Sequence, residues 1–275
     1  MNEMKEKKPG KLVFIGAGNM AEAMIRGILK TGLYRSDSIL VSDIDAGRLE
    51  YFQRELGITG LSDNKQAAST AQVIVLAVKP QQAVTVLHEL TGKLPDNILL
   101  ISIVTGFTTE KIMASLGQTA RIIRVVPNTP ALVGSGASAY CCGNGTTDED
   151  AHLAESILKS IGIAIQLEEP LMNAVTALSG SGPAYVFYLV EALLKAGREV
   201  GLTEEDARKL VVATVTGSAH ILLETGLQPD ELRRRVTSSG GTTEAAMEIL
   251  NKKKVQQTII AAVKAAHKRA KELST

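Results

Sequence analysis

Between residues 11 and 168, short apolar runs alternate with stretches whose apolar residues recur at helical spacing. Several runs lack polar alternation, which is typical of strands covered on both faces in a parallel sheet. The predicted strands are Leu12–Ile15, Ile39–Ser42, Val73–Val78, Ile98–Val104, Arg121–Val126, Ser138–Cys142 and Ile163–Leu167. The predicted helices between them are Met20–Lys30, Ala46–Leu56, Gln81–Leu90, Thr108–Leu116 and Asp148–Ser160. This alternation predicts a doubly wound α/β fold.

The pattern changes after Pro170, where the strand signal stops. The remaining chain predicts five helices: Pro183–Val200, Glu204–Thr225, Pro229–Val236, Thr242–Leu250 and Val255–Leu273. We therefore expect an α/β domain over residues 1–168 and an all-α domain over residues 169–275. The first of these helices is apolar on nearly every face, so a partner subunit, the bundle itself or the sheet domain must cover it.

Composition excludes several classes of protein. Hydrophobic residues make up 45% of the chain and charged residues 21%, which excludes a disordered chain. The net charge of +1 and the 3% aromatic content give no support to a nucleic-acid or anionic-membrane partner. Cys141 and Cys142 are adjacent, and the 4 histidines fit no metal motif, so we expect no metal site. The apolar stretch near the N-terminus is too short for a signal peptide, and a reducing cytoplasm is the expected location.

The first strand runs directly into a glycine-rich turn, Gly16-Ala17-Gly18-Asn19-Met20-Ala21. Gly16 permits the tight turn, Gly18 lets the backbone approach a pyrophosphate, and Ala21 lets the helix pack close to the strand. Because the turn lies between a strand and a helix, it predicts a Rossmann-type dinucleotide site from Ile15 to Ala21. The alternative is a purely structural glycine turn.

The end of the second strand bears on the choice of dinucleotide. Asp43 stands where an acid usually accepts hydrogen bonds from the adenosine ribose and disfavours a 2′-phosphate. Arg48 and Ser42 lie nearby and could instead contact a phosphate, and Asp45 could cap the next helix. The choice between NADP(H) and NAD(H) therefore stays open from the residues alone.

Three further segments follow predicted strands at the edge where ligands bind. Lys79 in Ala77-Val78-Lys79-Pro80 could contact cofactor phosphate or sugar, or could be an exposed lysine at a helix start. Thr105 would approach the nicotinamide. Asn128, between two prolines, could position nicotinamide or substrate, or serve ordinary turn chemistry.

Two segments rich in hydroxyl groups and glycine lie in the helical half. Residues 179–185, SGSGPAY, could bind a ligand or act as a hinge between helices. Residues 237–243, TSSGGTT, open a helix and offer N–H groups and hydroxyls to an anion such as a carboxylate. No GxSxG motif is present and no histidine lies beside either segment, so hydride transfer fits better than nucleophilic hydrolysis.

The chain resembles the pyrroline-5-carboxylate reductase family from about residue 11 to 270. The segments that carry the resemblance are FIGAGNMAEAM (14–24), LAVKP (76–80), RVVPNTPALV (124–133), ALSGSGPAYVF (177–187) and TSSGGTTEAA (237–246). It implies a Rossmann domain followed by a helical domain, and reduction of 1-pyrroline-5-carboxylate to L-proline by NAD(P)H. It also implies a homodimer formed through the helical domain, which in some members assembles into a decamer.

The resemblance also implies roles for single residues. Cofactor contacts fall at the glycine-rich turn, at Asp43, at Asn64 and at Ala77, Val78, Lys79 and Pro80. The substrate carboxylate falls at Ser238, Gly240, Gly241, Thr242 and Thr243, with the ring nitrogen near the Thr243 hydroxyl, which makes Thr243 the expected catalytic residue. Ser239 replaces a proline that is usual in the family, which should loosen the loop and puts the substrate affinity in doubt.

Two other functions compete with this interpretation. A β-hydroxyacid-dehydrogenase-like enzyme also pairs a Rossmann domain with helices and needs a lysine as acid, for which Lys195 is the candidate. A non-catalytic dinucleotide sensor is the other, although a sensor has no use for a second anion-binding segment.

Overall fold

The structure, a computed structural model, describes residues 10–117 and 119–274. Within these described residues, eight strands form one sheet: β1 (Lys11–Ile15), β2 (Ile39–Ser42), β3 (Thr59–Leu61), β4 (Ala71–Leu76), β5 (Leu99–Ser102), β6 (Arg121–Val126), β7 (Gly136–Cys142) and β8 (Gly162–Gln166). Their order is β3-β2-β1-β4-β5-β6-β7-β8. Every pair is parallel except β6 with β7. The predicted doubly wound, Rossmann-type sheet is confirmed.

The α-helices that accompany this sheet in the described part of the chain are α1 (Asn19–Thr31), α2 (Ala46–Leu56), α3 (Asn64–Ala68), α4 (Pro80–Leu90), α5 (Thr109–Leu116) and α6 (Asp148–Lys159). One face of the sheet packs on Met24 and Ile28 of α1, Phe52 of α2 and Ile157 of α6. The other face packs on residues of α3, α4 and α5. Because both faces are covered, the central strands are apolar throughout, with burial complete along β2 and β5.

The remaining helices follow β8: α7 (Met172–Val175), α8 (Gly182–Glu199), α9 (Glu204–Thr225), α10 (Pro229–Arg235), α11 (Thr242–Lys252) and α12 (Val255–Ser274). A π-helical segment, Thr176–Gly180, continues the backbone of α7. The predicted strands and helices are all present, and β2, α2, β6 and α9 have the predicted bounds. β3, α3 and the helical residues 169–180 were not predicted.

The chain divides into two compact units. The first takes the residues up to Ser181 and those from Ala266 onward, and the second takes Gly182–Ala265. Within the second unit, α8 and α9 pack closely, since a Cβ atom added at Gly197 would lie 3.0 Å from the Ala207 Cβ. The domain boundary at residue 168 stays a prediction.

The helices of the second unit leave many apolar side chains exposed. Phe187, Leu189 and Ile221 are 59%, 53% and 51% exposed, whereas the sheet unit contains almost the entire buried core. One helical stretch of the described chain, Glu169–Glu199, is long and apolar enough to cross a membrane, by length and composition only. The surface of these helices needs a partner of some kind.

Candidate functional site

The glycine-rich turn joins the carboxyl ends of three strands. Gly16 has a φ of +103°, and a Cβ atom there would lie 2.6 Å from the carbonyl oxygen of Ala77 after β4. The Gly16 N–H donates to the carbonyl of Ser42 at the end of β2, at 2.7 Å. Only glycine fits this position, because the conformation is left-handed and the neighbouring backbone is too close.

Gly18 differs from Gly16, because nothing in the described structure restricts its position to glycine. It is the N-cap of α1, its φ of −74° suits any residue, and no side chain caps the helix. A Cβ atom on Gly18 would meet nothing within 4 Å. The backbone of Asn19, Met20 and Ala21 therefore begins a helix whose first N–H groups face open space, which is the geometry that binds a pyrophosphate.

Asp43 supports this turn from the end of β2. One carboxylate oxygen accepts the Ala17 N–H at 2.6 Å, and the other accepts the Asp45 N–H at 2.9 Å. The carboxylate is therefore fixed beside the glycine-rich turn, the position from which an acid reaches the adenosine ribose in Rossmann-type sites. Asp45 caps α2 by accepting the N–H groups of Gly47 and Arg48, the structural role that the sequence left open.

Arg48 and Ser42, the residues considered for a cofactor phosphate, both have partners inside the chain. Arg48 donates to the Ala17 carbonyl and to Glu22 of α1, each at 2.8 Å. Burial alone would raise the pKa of Glu22, but hydrogen bonds from Arg48, Tyr51 and Arg26 outweigh it and hold that pKa below its ordinary value. Arg48 thus holds the start of α1 rather than presenting its charge to a ligand.

A cavity of about 620 Å³ lies at this edge of the sheet. It brings together four residues that the sequence predicts as cofactor contacts: Gly16, Asp43, Asn64 and Val78. Asn64 is oriented at both ends of its amide, since its oxygen accepts the Ser42 hydroxyl at 2.8 Å and its nitrogen donates to Glu89 of α4 at 3.1 Å. Sequence reasoning missed Glu89, because only the fold brings the end of α4 to Asn64.

The other predicted cofactor residues lie along the same edge. Ile15 is the buried last residue of β1, and its carbonyl accepts a hydrogen bond from the Ala77 N–H at 2.8 Å. Lys79 is the exposed N-cap of α4, and Pro80 is the first residue of that helix. Thr105 is exposed in the loop after β5.

Asn128 links two segments that the sequence singled out separately. Its amide nitrogen donates to the carbonyl and hydroxyl oxygens of Ser179, at 3.2 and 3.3 Å, and its oxygen accepts the Ala137 N–H at 2.8 Å. Asn128 therefore fixes the start of the SGSGPAY segment onto β7. In that segment Ser179 lies in the π-helical turn, Ser181 is a bend and Gly182 starts α8. The two compact units divide between Ser181 and Gly182, so the role of a hinge stays a prediction.

The predicted substrate segment lies in the second unit, at the start of α11. Gly240 has a φ of +73°, its N–H donates to Glu244 at 2.7 Å, and the Gly241 N–H donates to the Ser238 carbonyl at 3.1 Å. Gly241 is the N-cap of α11, and no side chain caps this helix. The N–H groups of Thr242, Thr243 and Glu244 lie in the first turn, where no helical carbonyl is available to accept them.

Lys195, the acid required by a hydroxyacid dehydrogenase, lies in α8 of the second unit. Its side chain is 73% exposed, and its ammonium is 4.0 Å from the Glu199 carboxylate. Exposure to solvent and a nearby carboxylate are typical of a lysine on the protein surface.

Comparison with known proteins connects both units to one family. The profile described as "Pyrroline-5-carboxylate reductase dimerisation" matches residues 169–273, and that described as "NADP oxidoreductase coenzyme F420-dependent" matches residues 11–106. Pyrroline-5-carboxylate reductase 1 of Bacillus spizizenii is 37% identical over 265 residues, covering 96% of this chain and 89% of that protein.

Two solved structures are similar over nearly the whole chain. A pyrroline-5-carboxylate reductase of Coxiella burnetii has a TM-score of 0.90 at 41% identity, covering 97% of this chain and 99% of that one. A pyrroline carboxylate reductase of Plasmodium falciparum, with NADP bound, has a TM-score of 0.88 at 31% identity, covering 98% and 99%.

Proposed function

The chain belongs to the pyrroline-5-carboxylate reductase family, and we propose that it reduces 1-pyrroline-5-carboxylate to L-proline with NADP(H) as cofactor. The observation that carries the proposal is a pair of helices, α1 and α11, one in each unit. Each begins at a glycine N-cap without a side-chain cap. Helix starts of this kind bind anions, and the reaction needs places for a pyrophosphate and for a carboxylate.

The cofactor fits the sheet unit on the geometry of this chain. The open space at Gly18 accepts a diphosphate, and the cavity beside Asp43 and Asn64 accepts the adenosine. NADPH, when bound, supplies the hydride. The residues that would hold it are Ile15 to Ala21, Asp43, Asn64, Ala77 to Pro80 and Thr105. They all lie in the predicted domain of residues 1–168, which we propose as the cofactor domain.

The substrate segment supplies the carboxylate cradle and a hydrogen-bond donor for the imine nitrogen. We assign the substrate carboxylate to the N–H groups of Thr242 and Thr243 and to the Ser238 hydroxyl, within a loop that Gly240 and Gly241 shape. As the imine carbon is reduced, the C=N electron pair moves to nitrogen, which must gain a proton or a hydrogen bond. The Thr243 hydroxyl donates to that nitrogen, so it acts in the transition state more than on the bound substrate.

The partners follow from the same assignment. The family's dimerisation region covers the helices of this chain, and the enzyme is a homodimer. We propose that a second subunit, rather than lipid, covers the exposed apolar helices. The predictions of a decamer, of a cytoplasmic location and of no nucleic-acid partner are kept as proposals.

The proposal is tested with the purified protein by following the absorbance of the reduced cofactor. Oxidation of NADPH should require the cyclic imine acid and yield proline. A 3-hydroxy acid with NADP⁺ should give no reaction. Turnover of the hydroxy acid instead would move the protein to the hydroxyacid dehydrogenases. Cofactor binding without turnover of any substrate would favour the sensor.

Thr243→Val tests the role of the hydroxyl, because valine keeps the branched shape. We expect kcat to fall roughly 100-fold, equal to about 2–3 kcal/mol of transition-state stabilisation. Thr243→Ser restores a hydroxyl and should recover most of the rate. A wild-type kcat in Thr243→Val would mean that water or the substrate supplies the proton.

A further inference from the structure

The adenosine cavity contains a carboxylate that the cofactor assignment does not use. Glu89, in the last turn of α4, lines the cavity together with Asp43 and Asp63. Among the described residues that line it, Lys65 is the only basic one. The lining of the cavity that we assign to the adenosine therefore carries an excess of negative charge, which would oppose the 2′-phosphate that distinguishes NADP from NAD.

Glu89 is held in the cavity by a defined contact. The Asn64 amide nitrogen donates to the Glu89 carboxylate at 3.1 Å, and the buried Ser42 hydroxyl fixes the other end of the same amide. The carboxylate is thus anchored beside a residue that we assign to the cofactor. Its charge is partly screened, since Glu89 is exposed to solvent.

We propose that Glu89 is a specificity-determining residue that lowers the preference of this enzyme for the 2′-phosphorylated cofactor. The proposal rests on the cofactor placement under the proposed function. A charge held in the cavity repels the phosphate of NADPH and leaves NADH, which has a hydroxyl there, almost unaffected. Glu89 also tests this more cleanly than Asp43, because Asp43 additionally holds the Ala17 N–H of the phosphate turn.

The experiment compares Kd values for NADPH and NADH by cofactor fluorescence, which is readable directly because the chain has 0 Trp. In Glu89→Gln the amide oxygen still accepts from Asn64, so only the charge is lost. We expect the ratio of Kd for NADH to Kd for NADPH to rise about threefold at low salt. The rise should shrink at about 1 M salt, where charges are screened within about 3 Å.

Two further variants complete the experiment: one is a control for the loss of a charge outside the cavity, and the other removes the contact with Asn64 as well as the charge. Glu55→Gln removes an exposed carboxylate from the far end of α2, outside the cavity lining, and should leave the ratio unchanged. Glu89→Ala removes both charge and contact, so it should raise the ratio as Glu89→Gln does and weaken both cofactors equally in addition. These patterns support the proposal.

Other outcomes overturn it. A ratio in Glu89→Gln equal to that in Glu55→Gln, or a rise that is insensitive to salt, would show that the Glu89 charge does not act on the 2′-phosphate. If the wild-type protein binds neither cofactor, the cofactor placement under the proposed function is itself wrong. The two failures are therefore distinguishable. Neither readout depends on turnover of the imine acid.

Discussion

Gly16 and Gly18 belong to one motif, yet the structure separates what each glycine does. A side chain on Gly16 would enter the backbone after β4 in a left-handed conformation. A side chain on Gly18 would enter empty space that we assign to the cofactor diphosphate. The geometry gives the first glycine a role in folding, and we propose that the second is needed for binding, which are the two roles that the sequence motif predicts.

Paired substitutions test this distinction. Gly16→Ala should lower the free energy of unfolding by about 1–3 kcal/mol, because it imposes backbone strain and a close contact. Gly18→Val should cost less than about 1 kcal/mol, the effect of a poorer N-cap, and should abolish NADPH binding. Urea denaturation, monitored by circular dichroism, measures the free energy of unfolding. Cofactor fluorescence measures NADPH binding. Normal NADPH binding by Gly18→Val would show that the phosphates lie elsewhere.

At the scale of elements, the segments that have an apolar run or clear capping residues are predicted by the sequence, and the short segments without them are not. An apolar run marks the bounds of Ile39–Ser42, and capping residues mark those of Glu204–Thr225, so the bounds of both elements could be predicted. β3, with the sequence TGL, and the five-residue α3 are too short to show a period. These short elements position Asn64, so its place in the cavity came from family resemblance and not from the pattern.

The pattern of apolar and polar positions also does not predict the contacts between side chains that are far apart in the sequence. Arg124 is a charged residue at the centre of the apolar strand β6, and it is 1% exposed. Its guanidinium contacts Glu169 at 3.3 Å and Asn173 at 3.3 Å, and Glu169 also accepts the Thr109 N–H at the start of α5. A second Asn173 contact, from the Ser274 hydroxyl, attaches the end of α12. Arg124 therefore links β6 to residues 169–173, and through Glu169 and Asn173 to the start of α5 and the end of α12.

This arrangement predicts an asymmetry between its two charged partners. Glu169→Ala leaves a buried guanidinium without its counter-charge, and we expect a loss of about 2–3 kcal/mol in the free energy of unfolding, below the value for a fully buried pair because Glu169 is partly exposed. Arg124→Met should cost less, since an apolar chain of similar length fills the space and Glu169 keeps its Thr109 contacts. Urea titration of both variants and of the double variant measures the difference. Equal losses in the two single variants would mean that packing, and not charge, dominates at Arg124.

On the scale of the whole molecule, the two units differ in where they bury apolar surface. The sheet unit covers its strands on both faces, whereas α8 exposes Val186, Phe187, Leu189 and Leu193. A soluble monomer seldom leaves so many large apolar side chains on one helix. Since the family's dimerisation region covers the same residues, we propose a second subunit as the partner that accounts for both the pattern and the exposure.

This partner is tested with a charge placed on the exposed face of α8. Leu189→Glu should convert the dimer to a monomer in sedimentation velocity without detergent, because an interface that buries a carboxylate without a counter-charge is strongly destabilised. Val84→Glu is the matched control, since Val84 is a 40% exposed apolar residue on α4 of the sheet unit, and its mass should stay that of the dimer. NADPH binding should persist in the Leu189→Glu monomer, because the phosphate turn and the adenosine cavity lie in the sheet unit, while turnover should fall. A wild-type protein that stays aggregated without detergent and floats with liposomes would instead identify lipid as what covers these helices.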